Sequence, residues 1–180
     1  NSNIKSLFIV QGEEATVRVF SGNLGRDAME NRRTSGNIEP VVAFIYDEAD
    51  QFIPQDDGGR GPSVPAAKER AVELARRGRK YGLGIGIGTQ RIVYLDTNVL
   101  GQPHTYFVSK LPRESDRERI QSAFGLAKEV LEETHRFRKG EWLLISHSAT
   151  GLDGTPIPVI LPNANDRIEK FVTTFTPTTT

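Results

Sequence analysis

Two adjacent carboxylates, Asp47 and Glu48, follow the apolar run Val41 to Tyr46. A second apolar segment, Leu83 to Gly88, runs into Thr89, Gln90 and Arg91. An acid pair on one strand end and an amide on the next suit phosphate-ester hydrolysis. A carboxylate at a strand terminus can hold Mg²⁺, often through water, because that ion keeps part of its hydration shell. Asp47 fits that task. The adjacent carboxylate, Glu48, points the other way along the pleat and can polarise an attacking water. Gln90 can orient that water or the terminal phosphate. The bland alternative is an acidic strand end facing solvent, and the "GTQ" on the neighbouring segment weighs against it.

These groups work together only if both strands point the same way, because ligands gather at the carboxyl ends of a parallel sheet. The run 41–46 has no polar interruption, which predicts a central strand covered on both faces. Residues 54–65 read as a loop. A helix is predicted over 65–80, with Pro65 in its first turn and Gly82 as its stop. In the strand 83–88, Gly84, Gly86 and Gly88 alternate with apolar residues, so one face is bare backbone that a neighbour or ligand must approach closely. The segment 96–102, "DTNVLGQ", reads as a short helix or turn. With a third strand at 104–109, the crossover rule predicts three parallel strands in one sheet. Upstream, 4–10 and 16–20 read as short strands, and 21–40 as a loop around a short helix at 25–32. Downstream, "SDRE" at 115–118 fits a capping box opening a helix to about 124, where Gly125 stops it. A second helix covers about 127–136. "EWLLISH" and "PIPVILP" read as an antiparallel pair. The Thr/Pro tail, 173–180, is expected to fray after a single domain over 1–172. The fold class is α/β.

Composition narrows the setting. The chain has 180 residues, 37% hydrophobic, with zero formal net charge. That is enough for one compact core, and any basic patch must be local. There is no cysteine, which excludes disulfides and thiolate metal sites and suits a reducing, cytoplasmic setting. No apolar run approaches the roughly 20 residues a membrane span needs, and the start shows no signal-peptide pattern. His104, His135 and His147 lack metal-ligand spacing, which predicts structural roles.

Asp47 to Asp50 spell D-E-A-D, the second motif of one helicase class. That class places S-A-T a few tens of residues later. Here "SAT" stands at Ser148 to Thr150, about a hundred residues on, and "GTQR" occupies the place where it belongs. A broader match lies over 73–111, "ELARRGRKYGLGIGIGTQRIVYLDTNVLGQPHTYFVSKL". The acid pair Asp47–Glu48, then Arg77, Gly78, Arg79, Lys80 and Gly82 around a helix end, then Thr89, Gln90 and Arg91, then Leu100, Gln102 and Thr105 resemble the HerA/FtsK-type RecA-like ATPases, the HerA-like branch most. "ESDRERI", "KGEWLLIS" and "PIPVILP" extend the resemblance over roughly 41–162. It implies a partial RecA-like domain with a mainly parallel sheet, flanking helices and a C-terminal β-hairpin. It implies a hexameric, Mg-ATP-driven translocase of double-stranded DNA, whose archaeal relatives work with end-resection nucleases. Carried across, Asp47 would serve magnesium, Glu48 would be the base and Gln90 the sensor, with Thr89 beside the nucleotide.

The cations at the helix end allow two readings. Arg76, Arg77, Arg79 and Lys80 can offset the helix dipole, worth about 0.3–1 kcal/mol each. In a ring ATPase, Arg76 or Arg77 can instead reach a neighbour's nucleotide as a finger, a term of about 10³–10⁵ in rate. Spacing does not choose between them, although Arg77 fits the motif slightly better. Arg113, Arg117, Arg119, Arg136, Arg138 and Lys139 alternate with acids and read as a solvated helical surface. DNA contact is assigned to loops, either 54–63 with Arg60 or 91–98.

One part is missing. No G-x-x-x-x-G-K-S/T occurs in the 180 residues, so no visible loop cradles the β- and γ-phosphates. The expectation is a C-terminal piece of a larger ATPase that alone neither binds ATP tightly nor hydrolyses it. The alternative is a non-hydrolysing interaction module that kept the fold and lost the loop. A metal hydrolase using Asp47, Glu48 and Asp50 is a distant third.

Overall fold

β1, Val42–Tyr46, and β2, Leu83–Ile87, pair in parallel, with Val42 opposite Leu83 and Tyr46 opposite Ile87. Parallel neighbours need a crossover that carries the chain back to its starting edge, and α2, Ser63–Arg77, supplies it. Pro65 sits in the first turn of α2, where its missing N–H costs nothing. A 3₁₀ turn, Gly78–Tyr81, follows, and Gly82 (φ 68°) reverses the chain into β2. Around this crossover, space demands glycine at Gly78 and Gly82. A Cβ would meet Leu83 O at 2.5 Å on Gly78 and Ile38 O at 2.1 Å on Gly82. On Gly84 it would meet nothing closer than 3.9 Å, and on Gly86 and Gly88 nothing closer than 3.4 Å. The strand glycines therefore admit no crowding neighbour of the kind expected.

The computed structural model describes residues 6–59, 61–152 and 155–175. They fall in two compact units, 1–103 and 104–180.

In the first unit the expected strand at 16–20 is instead helical, and the short helix expected at 25–32 extends both ways into one helix, α1, Glu14–Ser35, leaving only 36–40 of the expected loop. Glu13 caps it, accepting from Thr16 N at 2.9 Å and Ala15 N at 3.1 Å. Those donors, Thr16 first, hold the Glu13 carboxyl below its usual range. Gly36 (φ 68°) closes it, its N–H donating to Arg32 O. The strand expected at 4–10 does not form over its described part: 6–10 has no regular structure, and Leu7, Phe8 and Ile9 are exposed.

α1 and α2 lie side by side and run the same way. Arg18 Nε donates to Ser63 Oγ at 3.3 Å, Gly22 lies over Ala67, and Gly25 over Leu74. Met29, Leu74 and Leu83 form a core cluster with Phe44 and Tyr81 packed on it. Alternation along β1 sends Phe44 and Tyr46 to that side and Ala43 and Ile45 to the other. Ile45 is 74% exposed. The prediction of a strand covered on both faces is therefore corrected: one face is covered, the other bare. An isoleucine left in water forgoes about 1.5–3 kcal/mol of burial. The short helix α3, Thr97–Leu100, forms where expected, capped by Asp96.

In the second unit β3, Tyr106–Val108, pairs antiparallel with β4, Glu141–Ile145, and β4 antiparallel with β5, Ile157–Ile160. The closing β4–β5 pair is as expected. The third strand is not: it joins β4 rather than a parallel ladder with β1 and β2. The crossover rule applies to strands that share a sheet, and β3 finds its hydrogen bonds elsewhere. The helices α4, Glu114–Phe124, and α5, Lys128–Glu133, match the expected pair, and Gly125 (φ 66°) stops α4. The capping box is absent, because Arg113 is the N-cap and Ser115 lies inside the helix. Tyr106 and Phe124 stack with ring centroids 3.9 Å apart. After the one-turn helix α6, His147–Thr150, and β5 comes α7, Ala164–Phe175. Residues 173–175, expected in the frayed tail, are helical. Thr173 and Thr174 hydroxyls donate to Glu169 and Lys170 carbonyls. Residues 176–180 lie outside the described residues. Among the described residues no helix is long and apolar enough to cross a membrane.

Candidate functional site

The carboxyl ends of β1 and β2 stand side by side. Backbone pairing continues past both strands: Gly88 N donates to Tyr46 O, and Ala49 N to Gly88 O, each at 2.9 Å. Asp47 is thereby level with Gly88, and a Cβ on Gly88 would lie 3.4 Å from Asp47 Oδ1. Thr89, Gln90 and Arg91 leave from the same rim. Asp47, Glu48, Gln90 and Arg91 are exposed, and Thr89 is half-buried.

The chain turns sharply here. Glu48 adopts φ 48°, ψ 48°, and is the one non-glycine residue with positive φ among the described residues. Holding a non-glycine side chain in that region costs about 1–3 kcal/mol. Its N–H donates to Asp47 Oδ1 at 3.0 Å. A 3₁₀ turn, Ala49–Gln51, follows and buries Ala49 and Asp50. Asp50 Oδ1 accepts from Thr89 Oγ1 at 2.8 Å, and Thr89 Oγ1 accepts from Arg91 N at 3.0 Å. The loop after the acid pair is tethered further on. Asp96 N donates to Ile53 O, Gln55 Oε1 accepts from both Thr97 N and Thr97 Oγ1, and Lys68 pairs with Asp96 at 2.9 Å. Under the rim Tyr46 is buried against Phe52. Burial pushes its hydroxyl up to about 12, with Ser21 only partly offsetting it.

The predicted residues thus divide. Asp47, Glu48, Thr89 and Gln90 share one rim. Arg76 and Arg77, both exposed, end α2 just before β2 begins, at the opposite rim. Among the described residues neither guanidinium makes an ion pair. Arg91 stacks on Tyr94, 4.4 Å from the ring centroid, and Arg60 lies outside the described residues. Of the outlying cations, Arg136 pairs with Glu133 at 3.4 Å. His135 Nδ1 meets Glu132 O. Sequence reasoning gave Asp50 a part only in the metal-hydrolase reading, and none as a partner of Thr89. The available signal was an aspartate between Ala49 and the apolar Phe52–Ile53, where burial demands a partner.

Asp47 fits a magnesium ligand: a hard carboxylate oxygen at an exposed strand end, with Oδ2 making no hydrogen bond among the described residues. Among the described residues no group of three or more His, Cys, Asp or Glu forms a metal cage. Mg²⁺ commonly takes one or two carboxylates plus substrate phosphates.

No family model matches the chain. Over 121 residues it is 29% identical to the DNA double-strand break repair helicase HerA of Saccharolobus solfataricus, covering 67% of this chain and 23% of that protein. Over 86 residues it is 33% identical to the probable HerA of Methanocaldococcus jannaschii, covering 48% and 16%. The chain is similar to the HerA helicases. The chain spans less than a quarter of the length of these curated relatives. Its fold is that of P-loop ATPase domains. VirB4 of Thermoanaerobacter pseudethanolicus superposes with a TM-score of 0.60 at 16% identity, over 87% of this chain and 40% of that one. B204, the DNA-packaging ATPase of Sulfolobus turreted icosahedral virus, gives 0.58 at 14% identity, over 86% and 66%.

Proposed function

We propose that this HerA-like chain carries the Walker B, sensor and finger half of an ATP-driven, hexameric translocase of double-stranded DNA acting in end resection beside a nuclease. Its phosphate-binding loop would come from polypeptide outside the 180 residues. The observation that supports this most is the parallel β1–β2 ladder, which sets Asp47, Glu48, Thr89 and Gln90 on one rim.

Each residue has a task suited to its position. Glu48, exposed at the turn, accepts the proton of the attacking water. Gln90, on the adjacent strand end, holds that water in line. Asp47 would hold magnesium, directly or through water. The ion, when bound, would neutralise charge on the phosphates. Arg77, or Arg76, lies too far along the strands to serve its own rim and would act on a neighbouring copy's nucleotide.

The test is Glu48→Gln in the complete gene product. Loss of a general base costs about 10²–10⁴-fold in rate. Turnover should fall by that much with nucleotide affinity kept, and DNA-stimulated hydrolysis should vanish with it. Unchanged turnover would remove Glu48 from the chemistry. A complete product that never hydrolyses ATP would favour the interaction module.

A further inference from the structure

Asp50 and Thr89 link the two strand ends of the rim through side chains. Asp50 is 4% exposed and belongs to the 3₁₀ turn that leaves Glu48. Its Oδ1 accepts from Thr89 Oγ1 at 2.8 Å. The Thr89 hydroxyl has one hydrogen to give and lone pairs to accept with. It gives the hydrogen to Asp50 and accepts from Arg91 N at 3.0 Å. One hydroxyl therefore spans Gln90: it belongs to the residue before and holds the amide of the residue after. Gln90 itself is exposed, so its direction depends on the backbone that flanks it.

We propose that Asp50, acting through Thr89, is a positioning residue that sets the Gln90 loop against Glu48. This rests on the ATPase reading. A carboxylate acceptor makes the bond to a hydroxyl shorter and stronger than a neutral one. Burial keeps water from competing for it. A second tie runs in parallel, from Ala49 N to Gly88 O at 2.9 Å. The backbone tie fixes strand register, which any residue at these positions would keep. The side-chain tie fixes the loop beyond the strand, and it needs an acid at 50 and a hydroxyl at 89.

The experiment measures steady-state ATP hydrolysis by the complete gene product. Thr89→Val keeps the shape and removes both bonds, whereas Thr89→Ser keeps both. The expected result is a fall in kcat of about tenfold or more for Thr89→Val, with KM for ATP within about twofold, and recovery in Thr89→Ser. In a Gln90→Ala background, Thr89→Val should cost nothing further, because its effect runs through Gln90. Should Thr89→Val fail to fold, Thr89→Ala carries the same comparison. Full activity in Thr89→Val, losses that add to those of Gln90→Ala, or no recovery with serine would overturn the inference while leaving the ATPase reading intact. A wild-type product without ATPase activity would overturn both.

Discussion

The two rims of the β1–β2 ladder are built on different plans. At the carboxyl rim the chain is cross-linked: Asp50 to Thr89, Thr89 to Arg91, Glu48 to Asp47, with a strained backbone at Glu48. At the amino rim Arg76, Arg77, Arg79 and Lys80 project into solvent from a helix end whose backbone is pinned by Gly78 and Gly82. One rim ties side chain to side chain; at the other the main chain is pinned, Lys80 lies over the Tyr81 ring at 4.9 Å, and Arg76 and Arg77 make no ion pair among the described residues. Five strand residues at about 3.3 Å each put roughly 15 Å between the rims. An arginine finger must order on arrival at a nucleotide, whereas a water-orienting site gains by being ordered beforehand. The contrast fits a site whose acid and cation come from different copies.

Mixing variants tests that contrast most severely. Arg77→Ala in the complete gene product should cost about 10³–10⁵-fold in turnover with nucleotide binding retained. Arg76→Ala is its control, and wild-type turnover in both would remove the finger. Because acid and cation lie on opposite rims, co-assembled Arg77→Ala and Glu48→Gln copies should regain up to about a quarter of wild-type turnover through interfaces that join two intact halves. Two inactive proteins that stay inactive when mixed would place the finger and the base in one copy.

Stability probes each rim in turn. Gly82→Ala should destabilise the chain by about 2–4 kcal/mol, since its φ is positive and the new Cβ would meet Ile38 O at 2.1 Å. Chemical denaturation reads this directly, and a loss under about 0.5 kcal/mol would mean the amino rim is less tightly pinned than described. Beneath the carboxyl rim, Tyr46 offers a pH test. Burial raises its folded-state value to about 12 from the ordinary 10. The neutral form is the one the fold favours, so this contribution is complete below pH 10. It is lost as pH rises toward 12, at about 1.4 kcal/mol per unit. Tyr46→Phe should flatten that part of the stability profile. A profile unchanged by the substitution would show that Tyr46 is hydrated.

The rim was legible from sequence because its signals are local: apolar runs ending in polar residues, with a helix between them long enough for a parallel crossover. α1 was not, and the reason is chemical. Thr16, Val17 and Val19 favour strands, while Gly22 and Gly25 read as breaks. In the fold those glycines admit α2 at close range, with Ala67 3.7 Å and Leu74 Cδ1 3.3 Å from where a Cβ would stand. Tertiary contact thus outweighed propensity. The helix start was hidden as well, because glutamate at 13 is outside the usual capping set. β3 failed for the opposite reason. Its residues do form a strand, but no local pattern tells a strand which partner it will find. The Asp50–Thr89 tie escaped because a partner 39 positions away leaves no trace in spacing.

Glu48 keeps a conformation in which glycine would be more comfortable. A design procedure rewarded for thermal tolerance would replace it first and report success. The resulting protein would be sturdier and, on the reading given above, inert. On that same reading, position 48 is where durability and work ask for different residues.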